Sequence, residues 1–125
     1  MEKIGSLKVQ TQLIDDHTAI VMLTGEMDLY TTSRAKTIIS ELIDTGCRHL
    51  IVDLHQAEYL DSTALGMLIG ALRRAREQGG GLRLVAPRLH VRRLLEITRL
   101  TFAFPIDAST EAAQARFLED EAQAA

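Results

Sequence analysis

The chain changes periodicity sharply at one place, and that change limits the folds open to it. Leu50, Ile51, Val52 and Leu54 form a short apolar run of strand character, and Leu65, Leu68, Ile69, Leu72 and Ala75 then recur at helical spacing. Between the two lies Tyr59-Leu60-Asp61-Ser62-Thr63-Ala64. A strand feeding a helix in this way predicts an α/β chain with Ser62 at a strand-to-helix corner. The first-turn amides of a helix lack intrahelical partners, so an added negative charge is favoured there. Asp61 or Ser62 also supplies the N-cap that a helix start requires, and taken alone a cap is the commoner use of either residue.

Two strands are expected earlier in the chain. Leu7, Val9, Thr11 and Leu13 alternate with Lys8, Gln10 and Gln12 across residues 7–14, the pattern of an outer strand with one covered face. Asp15-Asp16-His17 is a polar turn, and residues 18–24 run apolar with little alternation, as an interior strand would. A hairpin is the simplest connection. Gly25-Glu26-Met27-Asp28 closes the second strand with two carboxylates, a type of loop charge that is usually just solvated. Ala35, Ile38, Ile39, Leu42 and Ile43 then share one face of a helix over residues 31–45, begun at Thr31, Thr32 or Ser33 and stopped by Gly46. A helix between two apolar strands predicts a parallel pair with a right-handed crossover, which brings that strand end and the Ser62 corner to one edge of the sheet.

The helix from Ser62 is expected to reach about Gln78. It carries Gly66 and Gly70, each costing about 1 kcal/mol against Ala in a helix interior, and close approach of another backbone is the expected compensation. Gly79-Gly80-Gly81 ends the helix, residues 82–86 read as a further buried strand, and Pro87 breaks it. Residues 88–99 read as an amphipathic helix, with Val91, Leu94, Leu95 and Ile97 apolar and a basic exposed face of Arg92, Arg93 and Arg99 around Glu96. Phe102, Phe104 and Ile106 mark a last apolar element, Ser109 caps a final helix to about Leu118, and the acidic tail 119–125 is expected to fray. No repeat, linker or low-complexity block divides residues 1–125, so one domain is expected, with its core over about 7–117.

Composition narrows the function. Only 4% of the residues are aromatic, with no Trp, and the net charge is −3, which argues against binding single-stranded nucleic acid through stacked rings. The charge is uneven: residues 73–99 hold eight arginines against Glu77 and Glu96. Most such runs are solvated faces and a minority are contact surfaces. A single cysteine, Cys47, cannot form an internal disulfide, and with no signal peptide and no apolar run near twenty residues the expected compartment is the cytoplasm, without membrane insertion.

The reactive residues are sparse. Cys47 and His49 are the only closely spaced pair of Cys or His residues, with no matching second pair. The glycine triplet is followed by Leu82-Arg83 rather than by the Lys and Ser or Thr of a phosphate-binding loop. Nothing in the sequence pattern points to a raised pKa, of the kind a general acid needs, at Glu26 or Asp28. A serine at a strand–turn–helix corner is also where α/β-hydrolases place their nucleophile, but that elbow has Gly two residues to either side and this chain has Leu60 and Ala64; His90 is a candidate base that nothing in the sequence places nearby. What remains is Ser62 as a substrate. Phosphorylation would add about −1.5 to −2 charges, leave the fold standing, and spoil a docking surface by charge and desolvation.

The chain resembles the bacterial single-domain anti-sigma factor antagonists of the STAS type. The resemblance covers about residues 7–117 and is most specific at Asp61-Ser62-Thr63-Ala64-Leu65-Gly66, supported by Gly25-Glu26-Met27-Asp28, Asp53-Leu54 and Leu82-Arg83-Leu84-Val85. It implies a small mixed β-sheet of about four to five strands flanked by about four helices. It also implies that Ser62 is phosphorylated by a serine kinase that serves as the anti-sigma factor, with Thr63 a minor acceptor. Asp28, Asp61, Ser62, Thr63 and Met67 would then meet that partner. The resemblance implies that the unmodified form binds the kinase and frees the sigma factor, that the phosphorylated form lets go, and that a serine phosphatase resets it. No cofactor is implied for the chain itself, nor direct contact with nucleic acid, and the expected state is a monomer or weak dimer. Many members have Gly where this chain has Ala64, which bears on how the helix starts and how closely a kinase approaches. The reading from a different class is a constitutive STAS scaffold, never phosphorylated, in a signalling or transport assembly.

Overall fold

In the computed structural model, which describes residues 6–124, the first alternation folds as a hairpin. β1 (Leu7–Leu13) lies antiparallel to β2 (Thr18–Met27), with Leu7 opposite Gly25 and Leu13 opposite Ala19. Only the first part of β1 is covered. Leu7 is buried and Val9 packs against the core, but Thr11 and Leu13 are exposed.

The interior strand β2 pairs in parallel with β3 (His49–Asp53), which pairs with β5 (Gly81–Val85), which pairs with the two-residue β6 (Ile106–Asp107). The sheet is therefore mixed and six-stranded, in the order β1-β2-β3-β5-β6, with β4 (Ala57–Leu60) attached to the far end of β2. Four helices flank it: α1 (Thr32–Asp44), α2 (Ser62–Glu77), α3 (Leu89–Ile97) and α4 (Thr110–Ala124). A 3-10 turn over Leu100–Phe102 follows α3.

The period-2 alternation of the central strands sorts their side chains between two unequal cores. Ala19, Val21, Leu23, Leu50, Val52, Leu82 and Leu84 face α1 and α2 in the main core, together with Val91, Leu95 and Phe104. Ile20, Ile51 and Val85 face the other way, against Ala113 and Phe117 of α4. Three helices thus cover one face and one helix covers part of the other.

Several expectations are revised. The apolar run that ends at Leu54 does not lead directly into the Ser62 corner. The chain turns at Leu54, whose carbonyl accepts from Ala57 N–H at 3.0 Å, and then forms β4 alongside residues 25–27. Gly66 and Gly70 are not explained by a packed backbone: a Cβ at either would meet nothing within 4 Å. Ile97 is 80% exposed, because α3 turns only Val91 and Leu95 fully inward.

The arginines between Arg73 and Arg99 do not share one face. Arg74 pairs with Asp44 of α1 and Arg83 pairs, part-buried, with Asp107, while Arg92, Arg93 and Arg99 are exposed. Residues 119–124 of the acidic tail continue α4, which runs as a helix through Ala124. Ser109 caps α4 as expected, accepting from Ala112 N–H at 3.1 Å, and Glu121 ties the helix end to the sheet through Arg48 at 2.7 Å and His49 at 2.5 Å. Ala125 lies outside the described residues.

Candidate functional site

The corner is built by β4 and β2 together. Leu60 is paired with Met27, and one residue further on Asp61 N–H donates to the Met27 carbonyl at 3.1 Å, so the chain leaves the sheet at Asp61. Asp61 is extended (φ −103, ψ −175), and its Oδ1 accepts from Ala64 N–H at 3.0 Å. Its own carbonyl accepts from Leu65 N–H at 3.1 Å. That geometry makes Asp61 the N-cap of α2. Ser62 is left as the first helical residue, exposed, and among the described residues its hydroxyl makes no hydrogen bond. Thr63 beside it is exposed as well. The first turn of α2 carries no acidic side chain, so the nearest fixed negative charge along the chain is the Asp61 carboxylate.

The β2–α1 loop borders the same edge. Asp28 stands one residue beyond Met27 as Asp61 stands one beyond Leu60, so the strand register brings the two acidic residues to neighbouring positions. Asp28 is half-buried and shapes its own loop. Its Oδ1 accepts from Tyr30 N–H at 2.8 Å and Thr31 N–H at 3.1 Å, while the Thr31 hydroxyl donates to the Glu26 carbonyl at 2.8 Å. The turn thrusts two apolar side chains into solvent. Leu29 is 65% and Tyr30 79% exposed, and Tyr59 of β4 is 50% exposed. Sequence reasoning missed this apolar fringe; its signal was a Leu-Tyr pair following an Asp in a loop, where such residues have no core to enter.

Met67 has a different place from the other expected contact residues. It is only 8% exposed and forms part of the wall of a groove of about 580 Å³ between α1 and α2. Leu29 and Thr63 line the end of that groove nearest the corner. Asp28, Asp61, Ser62 and Thr63 are thus brought to one edge, and Met67 lies below it in the groove.

Other chemistries are not assembled. The His90 ring hydrogen-bonds through Nε2 to the carbonyl of Glu58 in β4, so it lies near the corner but is engaged by backbone. Among the described residues no group of three His, Cys, Asp or Glu side chains could hold a metal ion, and His49 faces Glu121 rather than Cys47. Burial, with a smaller contribution from Asp15, pushes the Cys47 thiol above its ordinary value and away from the reactive thiolate. No helix among the described residues is long and apolar enough to cross a membrane. What the corner offers is an accessible alcohol next to helix amides, inside a rim of acidic and apolar side chains.

Comparison with known proteins gives concordant results. Residues 8–113 match the family model of the STAS domain. The chain is 30% identical over 91 residues to an anti-sigma-B factor antagonist of Staphylococcus aureus, spanning 73% of this chain and 84% of that protein. It is also 30% identical over 88 residues to an anti-sigma F factor antagonist of Paenibacillus polymyxa, spanning 70% of this chain and 75% of that one. Its fold superimposes on the anti-sigma factor antagonist SpoIIAA in its unphosphorylated form with a TM-score of 0.79 at 24% identity, over 87% of this chain and 95% of the other.

Proposed function

Because the chain belongs to the STAS domain family, we propose that it is an anti-sigma factor antagonist whose affinity for its partner is set by phosphorylation of Ser62. The observation that carries this reading is the exposed Ser62 hydroxyl, free of hydrogen bonds to the described residues, at the first position of α2 while Asp61 does the capping. In this reading the partner is an anti-sigma factor that is also a serine kinase. The Ser62 oxygen attacks the γ-phosphorus of the kinase's ATP, the bond to the bridging oxygen of ADP breaks, and the serine proton is lost to the kinase or to water. A serine phosphatase hydrolyses the ester and restores the alcohol.

The physics of the switch is local. The helix N-terminus tolerates the new dianion, so the fold survives, but the Asp61 carboxylate is immediately adjacent and the phosphate must be stripped of water if a partner is to stay docked. Leu29, Tyr30, Tyr59 and Thr63 supply the contact area around it. Loss of about 3 kcal/mol at such an interface lowers affinity on the order of a hundredfold, which suffices to exchange partners.

Incubation with the anti-sigma factor kinase from the same cell and ATP, read by intact mass, is expected to add a single phosphate that is absent in Ser62→Ala. Ser62→Ala should still bind the kinase, whereas Ser62→Glu should bind at least tenfold more weakly with an unchanged circular dichroism spectrum. If the chain binds its partners equally well with Ser, Ala or Glu at this position and gains no mass, it is a constitutive scaffold and the switch is wrong.

A further inference from the structure

The groove between α1 and α2 has features that the chain's own packing does not account for. At about 580 Å³ it lies within the size range of small-molecule sites, and its walls are apolar where Ile39 and Ile43 of α1 face Met67 and Ala71 of α2. Gly66 and Gly70 line it one turn apart, and a Cβ at either would meet nothing within 4 Å, so the usual cost of glycine inside a helix is borne with no close contact in return. Thr32 lines the same groove at 2% exposure, and its buried hydroxyl has no hydrogen-bond partner. An unpaired buried hydroxyl is costly, and a ligand atom that pairs with it removes the cost.

The charged side chains that line the groove are all basic, with the carboxylates of Asp28 and Asp61 at the corner beyond its end. Arg74 is held by Asp44 at 2.6 Å, but Lys36 and Arg73, which also line the groove, have no ion-pair partner among the described residues. Thr32 and Lys36 lie in the first turns of α1, at the end of the groove that also holds Thr63 from the first turn of α2. Two positive helix ends and a free ammonium therefore meet at one end of an apolar trough.

We propose that this groove binds an amphipathic anion, a linear hydrocarbon tail capped by one carboxylate or similar head. The tail lies over Gly66 and Gly70 and between the facing apolar walls. The head pairs with Lys36 and accepts from the Thr32 hydroxyl, at the end beside Ser62. A helix of another protein would also follow a groove of this shape. The unpaired hydroxyl and ammonium at one end favour a small ligand with a single polar head.

The test is calorimetric titration of the full chain with octanoate, decanoate and laurate, with dodecyltrimethylammonium as the charge control. Saturable one-to-one binding is expected, tightening by up to about fourfold per added methylene, with the cationic control at least tenfold weaker than laurate. Gly70→Leu fills the trough with a better helix former, so it should fold, as circular dichroism will report, and bind laurate at least tenfold more weakly. Lys36→Glu should weaken laurate similarly without altering the fold. The proposal is overturned if no carboxylate saturates, if the cation binds as tightly as laurate, or if Gly70→Leu binds laurate like the parent. Should Gly70→Leu instead leave laurate untouched and abolish phosphorylation of Ser62 by the kinase, the groove is a protein docking surface and the ligand assignment falls. Phosphorylation of Ser62 in the parent chain is read in the same series, so failure of the switch and failure of the groove give different results.

Discussion

Asp61 and Ser62 are adjacent and do different things. The Asp61 carboxylate turns back to the Ala64 amide, while the exposed Ser62 hydroxyl makes no hydrogen bond to the described residues. From sequence both were good caps, and the choice could not be made because Asp and Ser rank together at that position. The extended backbone at residue 61, with ψ of −175, decides it. Asp61→Ala should therefore lose about 1 kcal/mol of stability through the uncapped amide, and Ser62→Ala should stay within about 0.5 kcal/mol of the parent. Urea unfolding of the two variants measures both. If Ser62→Ala proves the costlier change, the serine is the cap and the acceptor role loses its physical basis. Asp28 teaches a related lesson. It was legible as an acidic neighbour of the corner, but its hydrogen bonds to residues 30 and 31 show a loop-former, whose replacement would move Leu29 and Tyr30 as well as remove a charge.

At the scale of elements, periodicity read strongly where burial was complete and weakly where it was partial. β2, β3 and β5 were legible because continuous apolar runs such as Leu50-Ile51-Val52 suit strands covered on both faces. β4 was missed because it has four residues, two of them exposed, and is held mainly by its pairing with residues 25–27. The glycines were the hardest to interpret, since one residue type serves opposite ends. At Gly80 an added Cβ would lie 1.8 Å from the Arg48 carbonyl oxygen, which is backbone and cannot step aside, whereas at Gly70 it would meet nothing within 4 Å. Gly80→Ala is therefore expected to destabilise by about 3 kcal/mol, by forcing the α2–β5 turn away from the start of β3. Gly70→Ala is expected to stabilise by about 1 kcal/mol through helix propensity alone. Urea midpoints report both signs, and a Gly80→Ala variant as stable as the parent would show that the turn can relax in ways this packing does not suggest.

The molecule as a whole separates the proposed phosphorylation corner from its fastening. The C-terminal ends of β2 and β4 carry the Ser62 corner, whereas the start of β3, at the opposite edge of the parallel strands, carries Arg48 and His49 and receives Glu121 from α4. The tail composition alone suggested fraying, because the partners of Glu121 lie more than seventy residues away in sequence. The hydrogen bond from His49, and then that from Arg48, holds the Glu121 carboxyl at about 2, below its ordinary 4.5. A carboxylate with a depressed folded-state pKa stabilises fully above its unfolded value. On acidification the unfolded chain takes up the proton first, so the contribution fades as pH falls from about 4.5 and is gone near pH 2. Glu121→Gln should therefore lower the urea midpoint at about pH 6, with the gap to the parent closing as the pH approaches 2. Because the fastening and the corner share no element end, the same variant should be phosphorylated on Ser62 at the parental rate at neutral pH. A gap that stays constant with pH would show that Glu121 contributes packing rather than charge, and a fall in Ser62 phosphorylation would show that α4 is coupled to the docking edge through the sheet.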